Sequence, residues 1–175
     1  GQLDADPGEL TLGAVQFEIR EDLFISEARF RASVAAHVAQ AVAEGSELIV
    51  FPEYTGAFLA ALPFGEEIAR SDTVRGALRR ISEERGKALS LRKLFWELAP
   101  SVSEKMDRIF GGLAKAQGVH ILAGTYFHGT TLPSGERLLT NRAVLYGPEG
   151  TRVYEQDKVF LTPFERELIG LDSGS

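Results

Sequence analysis

A short run of apolar residues that ends at a proline constrains the fold of this chain more than any other feature. The run is Leu48 to Phe51, and Pro52 follows it. An unbroken apolar run of this length is typical of a β-strand that is covered on both faces. Pro52 has no amide hydrogen and biases the preceding residue toward extended geometry, so regular strand pairing should stop there. Glu53 is therefore predicted just beyond the C-terminal end of a buried strand, where open α/β sheets bind their ligands.

Strand and helix patterns alternate along the chain, which predicts an α/β fold. The clearest predicted elements are, in order, a strand at Leu10 to Phe17, a helix from a Ser26 cap to about Glu44, the strand at Leu48 to Phe51, a helix after Pro100 that Gly118 closes, and a strand at Val119 to Phe127. Residues 54–100 are less regular and predict one or two helices with poorly defined ends.

The last regular pattern predicts a β-hairpin. Leu138 to Tyr146 and Thr151 to Gln156 are strand-like and flank the segment Gly147 to Gly150. A connection with two glycines and a proline between two such runs is typical of a hairpin loop. We interpret this glycine-containing segment as a turn and not as a phosphate-binding loop.

Composition excludes several classes of protein. A net charge of −6 and a pI near 5.2 disfavour nucleic acid or an anionic membrane as the main partner. The sequence has no run of 18 apolar residues and no signal-like N-terminal segment, so no membrane association is predicted. It also contains no cysteine, so no disulfide framework is possible, and a cytoplasmic location is expected.

Several segments resemble the carbon–nitrogen hydrolase (nitrilase) superfamily, in family order and at family-like separations. The segments are Gly13 to Phe17, Glu47 to Glu53, Leu122 to Thr125, Asn141 to Gly150 and Tyr154 to Glu165. The resemblance implies a four-layer α-β-β-α sandwich of which this chain is only the N-terminal part. Residues 1–175 would then be a single carbon–nitrogen hydrolase domain that is incomplete at its C-terminus.

The resemblance also implies a catalytic triad of Glu, Lys and Cys. Glu53 and Lys158 match the first two members, and the cysteine would lie beyond residue 175. A carboxylate at a strand end can act as a general base toward a thiol. A fixed ammonium can stabilise the oxyanion of a tetrahedral adduct. Because one base and one cation must reach the same reacting atom, we expect Glu53 and Lys158 to converge although 105 positions separate them.

A second acid in the site is implied by the same resemblance. In the commoner family form, Pro-Phe-Gly-Glu, one residue separates the phenylalanine from the acid. Here Glu165 follows Phe164 directly, so the choice between Glu165 and Glu167 stays open. Separately, Tyr54, Phe58 and Phe64 lie in an aromatic segment after Glu53 and are candidate residues for a substrate pocket.

No cofactor and no metal are expected. His120 and His128 lack a neighbouring arrangement of Cys or Glu-x-x-His ligands, and His37 is predicted on the first helix. The expected partner is a small-molecule amide or nitrile, with amides favoured. The family resemblance further implies a homo-oligomer, or association with the remaining C-terminal polypeptide.

The predicted function is therefore hydrolysis of a non-peptide carbon–nitrogen bond by the whole protein, with these residues alone inactive because they lack the nucleophile. One alternative is a non-catalytic interaction module that keeps the fold and has lost the nucleophile. Another is an N-acyltransferase with the same triad, although its membrane-embedded forms need transmembrane helices that this sequence lacks. The residue at the nucleophile position, downstream of Ser175, discriminates between the hydrolase and the module.

Overall fold

The computed structural model describes residues 10–18, 26–65, 76, 80, 83 and 90–174. The α-helices with defined bounds are α1 (Glu27–Ala43), α2 (Leu91–Met106) and α3 (Gly112–Gln117). The strands are β1 (Leu12–Ala14), β2 (Leu48–Val50), β3 (His120–Thr131), β4 (Arg137–Tyr146) and β5 (Arg152–Asp157). A 3₁₀ helix spans Ala57–Phe64, and π-helical turns span Asp107–Gly111 and Phe164–Ile169.

The five strands form one mixed sheet in the order β1-β2-β3-β4-β5. The pairs β1–β2 and β2–β3 are parallel, whereas β3–β4 and β4–β5 are antiparallel. Strands β4 and β5 form the hairpin that the sequence predicts around Gly147 to Gly150. The parallel pairs place the C-terminal ends of β1 and β2 at one edge of the sheet, which is where Glu53 follows β2.

Helix α1 begins and ends where the sequence predicts. The Ser26 hydroxyl accepts a hydrogen bond from the Arg29 amide at 3.2 Å, which satisfies one of the free amides of the first turn. At the other end Gly45 has a φ of 84°, a left-handed conformation that glycine adopts without a steric penalty. The helix buries Phe30, Val34 and Val38 completely against the sheet.

The helices cover one face of the sheet and leave the other only partly covered within the described residues. On the helix-covered face Ile49 and Ile121 are fully buried in the main core. On the opposite face Val50, Leu122 and Leu145 are half-buried, and Tyr154 at the end of the same row is 57% exposed. The described residues thus supply one helix layer and one sheet. The prediction that the strand of Leu48 to Phe51 is covered on both faces holds for one face only.

Helix α2 corrects a sequence prediction. The sequence predicts a helix that begins after Pro100, but α2 begins at Leu91 and continues through Pro100. At its start the Ser90 hydroxyl accepts a hydrogen bond from the Lys93 amide. A proline inside a helix removes one backbone hydrogen bond and crowds the preceding turn. Here the helix buries an apolar stripe on both sides of the proline, and this burial outweighs the loss. The stripe consists of Leu94, Ala99, Val102 and Met106.

Other boundaries differ by a few residues. Strand β1 is shorter than the predicted Leu10 to Phe17, and β3 continues past Phe127 to Thr131 because its end pairs with the start of β4 at Arg137. The one or two helices predicted within residues 54–100 lie in part outside the described residues. None of the described helices combines the length and the apolar character that crossing a membrane requires.

Candidate active site

Glu53 lies on a tight turn that is anchored to strand β3. The Phe51 amide donates to the Leu122 carbonyl at 2.9 Å, which is the last sheet bond before Pro52 interrupts the pairing. The Tyr54 amide then donates to the hydroxyl of Thr125 at 2.9 Å. Tyr54 has a φ of 66°, an uncommon left-handed conformation for a residue with a side chain. Strain of this kind is frequent at functional sites, where the surrounding structure holds it in place.

A β-bulge at Gly124 makes room for this turn. The register between β3 and β4 shifts between Leu122 and Thr125, and Gly124 has a φ of 71°. A Cβ atom added at Gly124 would lie 2.1 Å from the carbonyl oxygen of Pro52. The backbone of the turn therefore packs directly on the backbone of the bulge, and only glycine permits this approach.

Lys158 follows the last residue of β5 and reaches the same point. Its amide donates to the Asn141 carbonyl at 2.8 Å, which fixes the backbone at the strand end. Its Nζ donates to Oε1 of Glu53 at 2.8 Å and to Oε1 of Glu165 at 3.1 Å. The structure thus brings together the side chains of Glu53 and Lys158 across 105 positions of sequence, as predicted.

Glu165 is the acid that the structure brings to this cluster. Its side chain is completely buried, whereas Glu167 is exposed on the same π-helical turn. Oε2 of Glu165 accepts the Thr162 amide at 2.7 Å, and Oε1 accepts the Tyr54 hydroxyl at 2.5 Å in addition to Lys158. Of the two candidate acids, the structure therefore places Glu165 in the cluster, where it contacts Lys158, whereas Glu167 faces solvent.

Asn141 is a member of the cluster to which sequence reasoning assigned no role. Its side chain is fully buried in β4, and its Nδ2 donates to Oε1 of Glu53 and to Oε1 of Glu165, at 3.0 Å each. The available signal was a polar amide in the strand pattern of Leu138 to Tyr146, at a position that shares a strand face with the apolar residues Leu139 and Ala143. A buried polar side chain needs hydrogen-bond partners, so its presence in such a run indicates a polar neighbour across the fold.

The three aromatic candidates for a substrate pocket lie in different surroundings. Tyr54 donates its hydroxyl to Glu165, so it contacts the acid cluster directly. Phe58 packs against the main core, and Phe64 is buried beside Leu94. The structure does not gather the three side chains into one cluster, and their role in binding a substrate stays a prediction.

The hydrogen bonds determine the charge state of the cluster. Burial opposes ionisation of Glu165, but the hydrogen bonds from Tyr54, the Thr162 amide, Lys158 and Asn141 outweigh it and lower the pKa of Glu165 to about 2. Desolvation likewise opposes the charge on Lys158, and its bonds to Glu53 and Glu165 raise its pKa above the ordinary value. Burial and the neighbouring carboxylates raise the pKa of Tyr54, so its hydroxyl stays protonated and donates.

We expect the ionised state of Glu165 to stabilise the fold in a pH-dependent way. Its folded-state pKa of about 2 lies below its ordinary value of 4.5, so the contribution is complete above pH 4.5 and is lost as the pH falls toward 2. The shift corresponds to about 3 kcal/mol. In urea titrations over this pH range, Glu165→Gln should remove most of this acid-dependent loss, whereas Glu167→Gln should retain it. An unchanged acid dependence in Glu165→Gln would contradict the assignment.

The histidines do not build a metal site in the part of the chain that the structure describes. His128 contacts the Tyr126 hydroxyl through Nδ1 at 2.9 Å, and His120 is exposed at the start of β3. No group of three or more His, Cys, Asp or Glu side chains with a geometry suited to a metal ion occurs among the described residues.

Comparison of the fold with solved structures finds carbon–nitrogen hydrolases. A carbon-nitrogen hydrolase from Helicobacter pylori G27 superimposes with a TM-score of 0.58 at 16% identity, over 95% of this chain and 45% of that one. A mutant of the amidase from Nesterenkonia sp. AN1, with acrylamide added to its active-site cysteine, gives a TM-score of 0.54 at 14% identity, over 95% of this chain and 50% of that one. Another mutant of this amidase, described as from the nitrilase superfamily, gives 0.53 at 14% identity, over 97% and 50%.

These similarities confirm the predicted nitrilase-type α/β fold. The chain spans about half the length of the structures it matches. No protein-family model matches the sequence, and a search of curated proteins finds no match.

Proposed function

We propose that this chain supplies the general base and the cation of a hydrolase that cleaves non-peptide amides. In this proposal the nucleophile is a cysteine outside these 175 residues, which contain no cysteine. The observation that carries the proposal is the convergence of Glu53, Lys158 and Glu165 at the C-terminal edge of β2. The amidases among the structurally similar proteins favour an amide over a nitrile as the substrate.

Glu53 has one oxygen free to accept a proton. Its Oε1 is occupied by Lys158 and Asn141, whereas Oε2 takes part in none of the hydrogen bonds formed among the described residues. The Glu53 side chain is 43% exposed, while the Glu165 side chain is completely buried. A general base must have a lone pair that the reacting group can reach. Glu53 is therefore the base, and Glu165 is a fixed anion that holds Lys158.

Lys158 has one donor available for a substrate. An ammonium group carries three N–H donors, and two of them are engaged by Glu53 and Glu165. The third N–H forms none of the hydrogen bonds among the described residues, so it is the donor for a developing oxyanion. Electrostatic stabilisation of this charge is usually the largest single contribution to acyl transfer.

The proposed reaction has two balanced halves. Glu53 takes the thiol proton, the thiolate attacks the amide carbon, and Lys158 stabilises the oxyanion. The carbon–nitrogen bond then breaks, and ammonia leaves with the proton from Glu53. In the second half Glu53 takes a proton from water, the hydroxide attacks the acyl carbon, and the thiolate leaves and recovers that proton.

The proposal is tested by measuring ammonia release from a panel of short amides and the corresponding nitriles. The full-length gene product should release ammonia from at least one amide, and more slowly or not at all from the nitriles. A folded full-length protein that releases ammonia from no member of the panel would favour the non-catalytic module. Transfer of the acyl group to an added amine in preference to water would favour the acyltransferase.

A further inference from the structure

We propose that Asn141 is a positioning residue that holds the side chains of Glu53 and Glu165 side by side by donating to both of them. This inference deepens the proposed function and rests on it. Asn141 does not contact the substrate in this account. It acts through the two acids, and the observations that assign it this role are its donor geometry and its unpaired oxygen.

The geometry makes Asn141 a second bridge between the two acids. Its Nδ2 lies 3.0 Å from Oε1 of Glu53 and 3.0 Å from Oε1 of Glu165. Lys158 bridges the same two oxygens, at 2.8 and 3.1 Å. Two carboxylates that share their donors in this way repel each other, and in such pairs one acid takes up a proton unless the donors compensate. Lys158 supplies a single positive charge against two negative ones, so neutral donors provide the rest of the compensation. The donors of Tyr54 and Thr162 reach Glu165 only, whereas the Asn141 amide reaches both acids.

The oxygen of the Asn141 side-chain amide indicates that this arrangement lowers the stability of the fold. Its Oδ1 is buried and has no hydrogen-bond partner among the described residues. Rotating the amide by half a turn would point Oδ1 at both carboxylates, so the hydrogen-bond network itself fixes the orientation. An unpaired buried acceptor destabilises a fold. Leu139, two positions earlier on the same strand face, is fully buried and apolar, so burial on this face does not itself require a polar side chain.

A purely structural role for Asn141 makes a different prediction. In that case its replacement would lower the melting temperature, and the ionisation of the site would not change. If the Asn141 amide offsets the repulsion between the two neighbouring acids, its replacement raises the pH at which Glu165 takes up a proton. The acidic limb of the rate profile then moves upward even where the fold is intact.

The test uses Asn141→Asp and Asn141→Ala in the full-length protein, with Leu139→Ala as a control for general loss of packing in the same strand. For Asn141→Asp we expect kcat to fall about tenfold or more, and the acidic limb of the kcat/KM profile to move up by about one pH unit. Asn141→Ala should move it in the same direction. Leu139→Ala should lower the melting temperature and leave the limb in place.

A second readout does not depend on turnover. Glutamate labelled with ¹³C at its side-chain carboxyl allows the titration of Glu165 to be followed by NMR, with the resonance assigned from Glu165→Gln. Its midpoint should rise by about one unit in Asn141→Ala. If the wild-type protein hydrolyses no amide, the proposed function fails while this titration still decides the role of Asn141. An unchanged Glu165 titration, or an unmoved acidic limb accompanied by a lower melting temperature, would overturn the inference.

Discussion

Replacing Glu53 with Gln in the full-length protein should lower kcat for amide hydrolysis by about a thousandfold or more. Gln keeps an oxygen that can accept the hydrogen bonds of Lys158 and Asn141, at 2.8 and 3.0 Å in the native site. It cannot take a proton from a thiol or from water. The effect should therefore fall on kcat, with little change in KM, and the measurement is steady-state ammonia release.

The matched control for this prediction is Glu167→Gln. It removes the same charge from an exposed position on the turn that carries Glu165. We expect Glu167→Gln to retain wild-type turnover within about twofold, because an isolated surface charge contributes little. Equal turnover in Glu53→Gln and in wild type would contradict the role of Glu53 as the base.

Replacing Gly124 with Ala should cost at least about 3 kcal/mol of stability and lower turnover by about a hundredfold or more. The added methyl group would meet the Pro52 carbonyl oxygen at 2.1 Å and would force a side chain into a φ of 71°. The Pro52 carbonyl is part of the backbone, so it cannot rotate away from the added methyl group. The turn that carries Glu53 must move, and a displacement of about 1 Å at a reacting group can reduce a rate a hundredfold.

Gly112→Ala is the control for a glycine replaced by alanine. Gly112 has helical backbone angles at the start of α3, and a Cβ atom added there meets nothing within 4 Å. Alanine at such a position should stabilise the protein by about 0.5 to 1 kcal/mol. Urea denaturation of both variants measures the difference. A Gly124→Ala protein as stable and as active as wild type would contradict the account of the bulge.

The parts of the fold that local chemistry determines could be predicted from the sequence. Ser26 and Gly45 are chemically suited to the two ends of α1, and Pro52 removes the amide that would continue β2. The helix through Pro100 could not be predicted in this way. Its apolar stripe lies on both sides of the proline, and the energy that outweighs the local penalty comes from tertiary packing against the sheet.

Glu53 and Lys158 of the candidate site could be predicted from the sequence, but the residues that bridge them could not. Glu53 and Lys158 follow strand-like segments, so their convergence could be anticipated from sequence. Glu165 and Glu167 both fall in the first turn of one π-helical segment, and only the path of that turn determines which acid is buried. The bridging contacts of Asn141 depend on how β4 is aligned with the turn after β2, and a local sequence pattern carries no information about that alignment.

Detection of the covalent intermediate would show whether Glu53 activates a cysteine nucleophile. The full-length protein is mixed with a short amide that it hydrolyses, quenched rapidly, and analysed by intact-mass and peptide mass spectrometry. We expect a mass increase of one acyl group on a cysteine outside this chain in the wild-type protein, and its absence in Glu53→Gln. An acyl group on any other residue, or equally rapid acylation of Glu53→Gln, would contradict the claim that Glu53 activates a cysteine nucleophile.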